Sequence, residues 1–173
     1  MIEVTVESIR VSLINQQRLV VLREGETPRY LPIWIGPFEA EAIQMGLQGT
    51  DAGRPLTHDL LRDVIGELGA KASYVLINAL RDDTFYARLV LTLDGRELEI
   101  DARPSDAIAL AVRLGVSIFV SEDVMERAGQ VPAGDYEAAE DEADHGAPRP
   151  DELGVFRDFI EGLDLDDIPD GEK

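Results

Sequence analysis

Residues 85–100 carry the clearest local folding signal in the chain. Apolar side chains occupy every second position along the first part of this segment, at Phe85, Ala87, Leu89, Leu91 and Leu93. Asp94-Gly95 follows, a pair that favours the tight two-residue turn of a β-hairpin. Leu98 and Ile100 then continue the alternation in phase. Because successive side chains of a strand point to opposite faces, the pattern predicts a hairpin with one apolar face that other elements must cover.

Further strands are indicated before and after this hairpin. Alternation in residues 2–6 changes phase near Glu7-Ser8 and resumes in residues 9–13, which predicts one long bulged strand or two short ones. Residues 19–22 form a continuous apolar run that suits a strand covered on both faces. Residues 30–35, 74–77 and 116–120 are also predicted strands, and Pro32 favours an edge or a bulge for the first of these.

Helical periodicity appears between these strands. One helix is predicted to begin at Pro37, where the missing N–H costs nothing, and another runs from about Pro104 to Leu114. A third is expected to begin with Thr57 as its N-cap and to bury an apolar face made of Leu60, Leu61, Val64, Ile65 and Leu68. We expect Trp34 and Phe38 to belong to the core rather than to form a platform on which bases stack. This order of elements predicts a single α+β domain, with a mostly antiparallel or mixed sheet packed by helices.

The charge of the chain is concentrated near its C-terminal end. The net charge is −19, and residues 130–173 hold 15 of the 35 acidic residues but only 3 of the 16 basic ones. We predict a domain over 1–128, an acidic flexible linker over 129–150, and a C-terminal amphipathic helix and tail over 151–173. This acidity argues against high-affinity nucleic-acid binding through clustered cations, but it does not exclude an enzyme that acts on nucleic acid transiently through a metal ion.

Several kinds of structural feature are excluded because the sequence lacks the residues that they need. There is no cysteine, which excludes disulfides and thiolate metal sites. No signal peptide is recognisable near Met1, and no apolar stretch approaches the roughly 20 residues of a membrane span. We therefore expect a cytoplasmic protein with no membrane partner.

Two short polar clusters are the candidates for chemistry. One spans residues 54–59 at the start of a predicted helix and contains Arg54, His58 and Asp59. A histidine beside a carboxylate can act as an acid or base, a metal ligand or a phosphate contact. The alternative is structural, with Asp59 interacting with the helix dipole and His58 solvated in the first turn.

The other cluster spans residues 101–106 between a predicted strand and a predicted helix. Asp101 and Asp106 across this turn could hold Mg²⁺ or Mn²⁺, which prefer oxygen ligands, and Arg103 could then bind a phosphate. The alternative is that Ser105 or Asp106 caps the helix while Arg103 pairs with a nearby carboxylate. No motif for an organic cofactor is present, and none is expected.

Three blocks of the sequence resemble those of a known family. Residues 31–43, which include Leu31-Pro32-Ile33-Trp34-Ile35-Gly36, look like the opening block of the bifunctional nuclease (BFN) domain family. Residues 54–60 resemble its second block, and residues 101–110 resemble its third. Residues 118–122 are similar to the close of the domain, so the resemblance covers about residues 1–128.

The resemblance implies metal-assisted hydrolysis of DNA and RNA. The positions that match the family blocks are Glu39, Arg54, His58, Asp59, Asp101, Arg103, Ser105 and Asp106. We assign catalysis to His58, Asp59, Asp101 and Asp106. We assign substrate binding to Arg54, Arg103 and Ser105. We assign metal binding to Asp101, Asp106 and Glu39.

Two other functions remain open at this point. The motif residues could be helix caps and interface ion pairs of a non-catalytic binding or regulatory module, which would be a homodimer or another homo-oligomer. Arg54 and Arg103 could instead bind a small anionic ligand. The distance between His58 and the turn at residues 101–106 bears directly on these alternatives, because a shared site requires the two clusters to meet.

Overall fold

The computed structural model describes residues 1–11, 17–25, 27–50 and 52–131. The predicted tail, and the predicted linker beyond residue 131, lie outside the described residues. The elements in chain order are β1 (Ile2–Val11), β2 (Arg18–Glu24), β3 (Tyr30–Ile35), α1 (Pro37–Gln48), α2 (Thr57–Glu67), β4 (Lys71–Arg81), β5 (Thr84–Leu93), β6 (Arg96–Ala102), α3 (Pro104–Leu114), β7 (Ser117–Val120) and α4 (Glu122–Ala128).

The described strands form a single mixed sheet. Its order is β3-β2-β1-β7-β4-β5-β6, so the short strand β7 lies between β1 and β4. Every neighbouring pair is antiparallel except β4 and β7, which are parallel. Together with four helices, this sheet confirms the predicted α+β class.

Several local predictions for the sheet are confirmed. Asp94 and Gly95 both have positive φ, 51° and 74°, as a tight hairpin turn between β5 and β6 requires. The phase change near residue 7 is a bulge within one strand, since the β1–β2 register shifts between Val6 and Ser8. Pro32 lies on β3 at the edge of the sheet, the position where a residue without an N–H is best tolerated.

Helix α3 is the central helix of the core. Seven of its eleven residues are buried, and it packs against β4, β5 and β7 as well as against α1 and α2. Its close approach to α1 depends on Gly46, because a Cβ there would lie 2.6 Å from Val112 Cγ2 and 2.8 Å from Arg113 Nη1. The first turn of α3, with its polar cluster, contacts the first turns of α1 and α2.

Two predictions about α2 are wrong. The N-cap is Leu56 rather than Thr57, and Ile65 is the one buried residue of the predicted apolar face. The other four residues of that face are exposed: Leu60, Leu61 and Val64 in the helix and Leu68 at its C-cap. The reason is position: α2 packs mainly on α3 and β4, so only one side of the helix has a neighbour. Periodicity reveals an apolar stripe, but it does not reveal whether another element covers the whole of it.

The prediction that Trp34 and Phe38 belong to the core is also wrong. Trp34 is 59% exposed and Phe38 is 80% exposed. Trp34 alternates with the buried residues Leu31 and Ile33 on β3, and so the strand turns its ring away from the core. In α1 the buried residues are Ala40 and Ile43. The side of the helix that packs on the core is therefore not the side that carries Phe38.

Replacing Leu110 by alanine should lower the free energy of unfolding by about 2–5 kcal/mol, because it empties a fully packed site in α3. Leu60→Ala is the matched control, since this leucine is also helical but 59% exposed. Urea unfolding followed by circular dichroism measures both. Equal losses in the two variants would contradict the central place given to α3.

Candidate functional site

The two polar clusters meet in the structure. His58 Nε2 lies 3.3 Å from Asp106 Oδ1, although the two residues are 48 positions apart in the sequence. His58 lies in the first turn of α2 and Asp106 in the first turn of α3, and these two helices pack together. The contact joins the helix openings into one polar site, which we call the junction cluster and define by Glu39, His58, Arg103 and Asp106.

Arg103 connects the carboxylates of the junction cluster. It donates from Nε to Asp106 Oδ2 at 2.6 Å and from Nη2 to Asp106 Oδ1 at 3.0 Å. Its Nη1 lies 3.0 Å from Glu39 Oε1, on the first turn of α1. The side chain is nevertheless 65% exposed. One arginine thus links α1 to α3 and still presents part of its guanidinium to solvent.

These contacts favour the charged forms of Asp106 and Arg103. Burial raises the pKa of Asp106, but the hydrogen bonds and positive charge of Arg103, with a contribution from His58, outweigh burial and hold the pKa below its usual range. The hydrogen bonds to Asp106 also raise the pKa of Arg103. Asp106 is therefore a carboxylate in the folded protein, and a carboxylate can only accept hydrogen bonds.

Gly36 makes room for the acidic member of the cluster on α1. The Glu39 carboxylate folds back over the Cα of Gly36, the N-cap of α1, and a Cβ at that position would collide with it. The φ of Gly36 is −73°, so the backbone conformation does not require glycine here, and a side chain at this position would displace the Glu39 carboxylate. The turn from β3 into α1 therefore positions Glu39 beside Arg103.

Arg113 stabilises the site by linking α3 to α1 and α2, and it is not among the residues predicted from the sequence. Its Nε donates to Asp59 Oδ1 at 2.9 Å, and its Nη1 donates to the carbonyl oxygens of Ala42 and Ala109 at 2.8 and 2.7 Å. The side chain is only 5% exposed. A lone arginine in the last turn of an apolar helix was the available signal, but it is usually explained by the helix dipole.

Two cavities are lined in part by residues of the junction cluster. The first, of about 290 Å³, is lined by Trp34, Glu39, Arg103 and Ser105 among others, and by Asp83 of the β4–β5 turn. The second, of about 250 Å³, is lined by residues of all three helices: Phe38, Glu39, Ala42, Leu56, Thr57, His58, Arg103, Asp106 and Arg113. Glu39 and Arg103 line both cavities.

The remaining predicted site residues are distributed around this arrangement. Ser105 is buried and lines the first cavity. Arg54 lies on the loop before α2 and lines a neighbouring cavity with Asp59 and Arg62. Asp101 is exposed on β6 opposite Arg88 of β5, and in the described part of the chain it takes part in none of the ion pairs of the junction cluster.

The arrangement does not fit a divalent cation held by the predicted carboxylates. Among residues 1–11, 17–25, 27–50 and 52–131, no group of three or more histidine, aspartate or glutamate side chains is placed to hold a metal ion. Glu39 and Asp106 both contact the Arg103 guanidinium, which occupies the space between them that a cation would need. Dependence on Mg²⁺ or Mn²⁺ stays a prediction.

Comparison with known proteins identifies the family. The model of the bifunctional nuclease domain matches residues 20–133, which is more than half of the chain. The chain belongs to the bifunctional nuclease domain family. The resemblance read from the three sequence blocks is thereby confirmed. In the described residues, no helix is both long and apolar enough to cross a membrane.

Relatives of two kinds are found. An uncharacterised protein of Mycobacterium tuberculosis is 43% identical over 166 residues, which covers 96% of this chain and 97% of that protein. Bifunctional nuclease 2 of Oryza sativa subsp. japonica is 32% identical over 108 residues, and bifunctional nuclease 2 of Arabidopsis thaliana is 26% identical over 107. Each plant match covers 60% of this chain but only about a third of the plant protein.

Asp59→Asn should lower the free energy of unfolding near neutral pH, and the difference from wild type should shrink in acid. The Leu56 N–H, 3.0 Å away, is the main cause of the lowered pKa of Asp59, and Arg113 adds to it against the effect of burial. Stabilisation from a lowered pKa is complete above the ordinary value near 3.9 and is lost as the pH falls through the lower folded value.

Urea unfolding at intervals from pH 7 to pH 3 measures this difference. Asp94→Asn in the β5–β6 turn is the control for loss of one negative charge, since asparagine suits that turn equally well. A difference between Asp59→Asn and wild type that is the same at every pH would contradict the assignment.

Proposed function

We propose that this chain is a nuclease that hydrolyses phosphodiester bonds of DNA or RNA at the junction cluster. The observation that carries the proposal is the His58–Asp106 contact at 3.3 Å, which brings a proton-transfer group beside the exposed Arg103. Membership of the bifunctional nuclease domain family and the names of the plant relatives support the same reaction class.

His58 is the proton-transfer group of the proposed reaction. Because Asp106 is a carboxylate, the contact places hydrogen on Nε2 of His58 and leaves Nδ1 as the proton acceptor of the neutral ring. A water oxygen attacks phosphorus while the bond to the leaving oxygen breaks. The imidazole accepts the proton of the water and returns one to the leaving oxygen, and Asp106 stabilises the charged ring in between.

Arg103 is the phosphate contact of the proposed reaction. Its three contacts with Asp106 and Glu39 use three of the five guanidinium N–H groups, and within the described part of the chain the other two are not used. Two N–H groups suit a pair of phosphate oxygens. The contacts with the two carboxylates hold the guanidinium in place before substrate arrives, which reduces the entropy lost on binding.

His58→Gln and Asp106→Asn should each lower the cleavage rate about 100-fold or more, because each removes the oriented proton-transfer group. End-labelled single- and double-stranded oligonucleotides of DNA and RNA are suitable substrates. Asp94→Asn, purified in the same way, is the control and should cleave like wild type. Equal cleavage by all four proteins would show that the activity does not come from the junction cluster. No cleavage of any substrate by wild type would contradict the proposed function itself.

The same assay tests the predicted metal. If Mg²⁺ or Mn²⁺ is required, a chelator should abolish cleavage by wild type, and either ion should restore it. Glu39 and Asp106 could become ligands only by releasing Arg103, so Arg103→Gln should then bind Mn²⁺ more tightly in calorimetric titration. An unchanged affinity would remove these two carboxylates as ligands.

A second candidate function is a non-catalytic homodimeric module. The observation that favours it is the exposed apolar stripe of α2, made of Leu60, Leu61, Val64 and Leu68. Stripes of this kind commonly mark a protein–protein contact. If two copies associate through it, light scattering should give a dimer for wild type and a monomer for Val64→Asp. A monomeric wild type at concentrations of about 100 µM, where a micromolar complex would be almost fully formed, removes this candidate.

A further inference from the structure

Two exposed aromatic rings line the cavities that border the junction cluster. Trp34 lines the first cavity and Phe38 lines the second, and both are among the most exposed large apolar side chains that the structure describes, at 59% and 80%. Leaving a large aromatic ring in water gives up the free energy that its burial would supply. Two such rings beside the same polar site indicate a surface that another molecule covers.

The two cavities that the rings line share one positive charge. Arg103 lines both cavities, so a molecule that occupied the two cavities together would cross its guanidinium. Cavities of about 290 and 250 Å³ lie near or below the lower end of the range of ligand sites, roughly 300–1,000 Å³, and suit one small ring system each. Across the two cavities the groups are therefore an aromatic ring, a guanidinium cation and a second aromatic ring.

A dinucleotide step of single-stranded nucleic acid has the complementary pattern, which is base, phosphate, base. We propose that Trp34 and Phe38 each stack one base, on either side of a phosphate held by Arg103, so that the substrate is single-stranded. This proposal rests on the proposed nuclease function and specifies its substrate class. In a duplex the faces of the bases are already stacked on their neighbours, so duplex nucleic acid would first have to open.

The charges around the site indicate that stacking supplies most of the affinity. Glu39 and Asp106 already face Arg103, and the chain carries a net charge of −19, so electrostatic attraction of a phosphate is weak. Stacking on an aromatic ring does not depend on net charge. An acidic protein can therefore bind a short single strand without the clustered cations that duplex binding requires.

Trp34 is the only tryptophan in the chain, so its fluorescence reports on this site alone. Titration with a dinucleoside monophosphate should quench the emission, because a stacked base lies against the indole ring. The same concentration of a blunt duplex should leave the emission nearly unchanged. Binding is measured at equilibrium and does not require cleavage. A result that contradicts base stacking can therefore be told apart from a result that contradicts nuclease activity.

Variants of Phe38 separate stacking from general apolar contact. Phe38→Ala should weaken binding about tenfold or more, in the range expected for the loss of one stacked base. Phe38→Leu should weaken it similarly, since it keeps apolar volume but has no ring face, and Phe38→Trp should retain it. Leu47→Ala, an exposed apolar position near the other end of α1, is the control and should bind like wild type.

The salt dependence of binding gives an independent test. Contact with a single phosphate predicts a slope of log K against log salt concentration of about −0.7. A slope several times steeper would overturn the proposal, because it would require many phosphate contacts. So would equal binding by wild type and Phe38→Ala, unchanged emission with the dinucleoside monophosphate, or light scattering that shows Phe38→Ala converting a dimer to a monomer.

Discussion

The burial of α3 is the constraint on which the rest of the structure depends. Seven of its residues lie inside the core, against three strands and two helices, so its first turn cannot move independently of the sheet. Gly46 lets α1 approach closely, and Arg113 connects α3 to α2 through Asp59. As a result, side chains from three helices meet within hydrogen-bond distance. The polar cluster is a consequence of how tightly this one helix is packed.

The fold was largely predictable because its signals are local. The Asp94-Gly95 turn, the phase change near Ser8 and the edge position of Pro32 each follow from the backbone chemistry of one or two residues. The α+β class follows from the order of such signals along the chain. What local signals do not contain is the arrangement of one element against another, and the errors on α2 and on Phe38 are of this kind.

The residue types of the site could be predicted from the sequence, but the contacts between these residues could not. His58 and Asp106 were recognised by residue type, and the sequence left open whether they meet. Their contact depends on the packing of α2 on α3, which involves residues far apart in the sequence. Arg113 was missed for the same reason, since its partners lie on two other elements. Exposure of Trp34 and Phe38 likewise depends on which neighbours are present, and residue type alone favoured the core.

The position of β7 has a consequence for how the chain reaches its native state. β1, β2 and β3 form one antiparallel group and β4, β5 and β6 form another, and in the described sheet the four residues Ser117–Val120 join them. This strand follows both groups in the sequence. During synthesis each group can therefore form its own hairpins early, while its inner edge stays unpaired until residue 120 has left the ribosome. The assembly of the sheet is a late event, governed by one of its shortest strands.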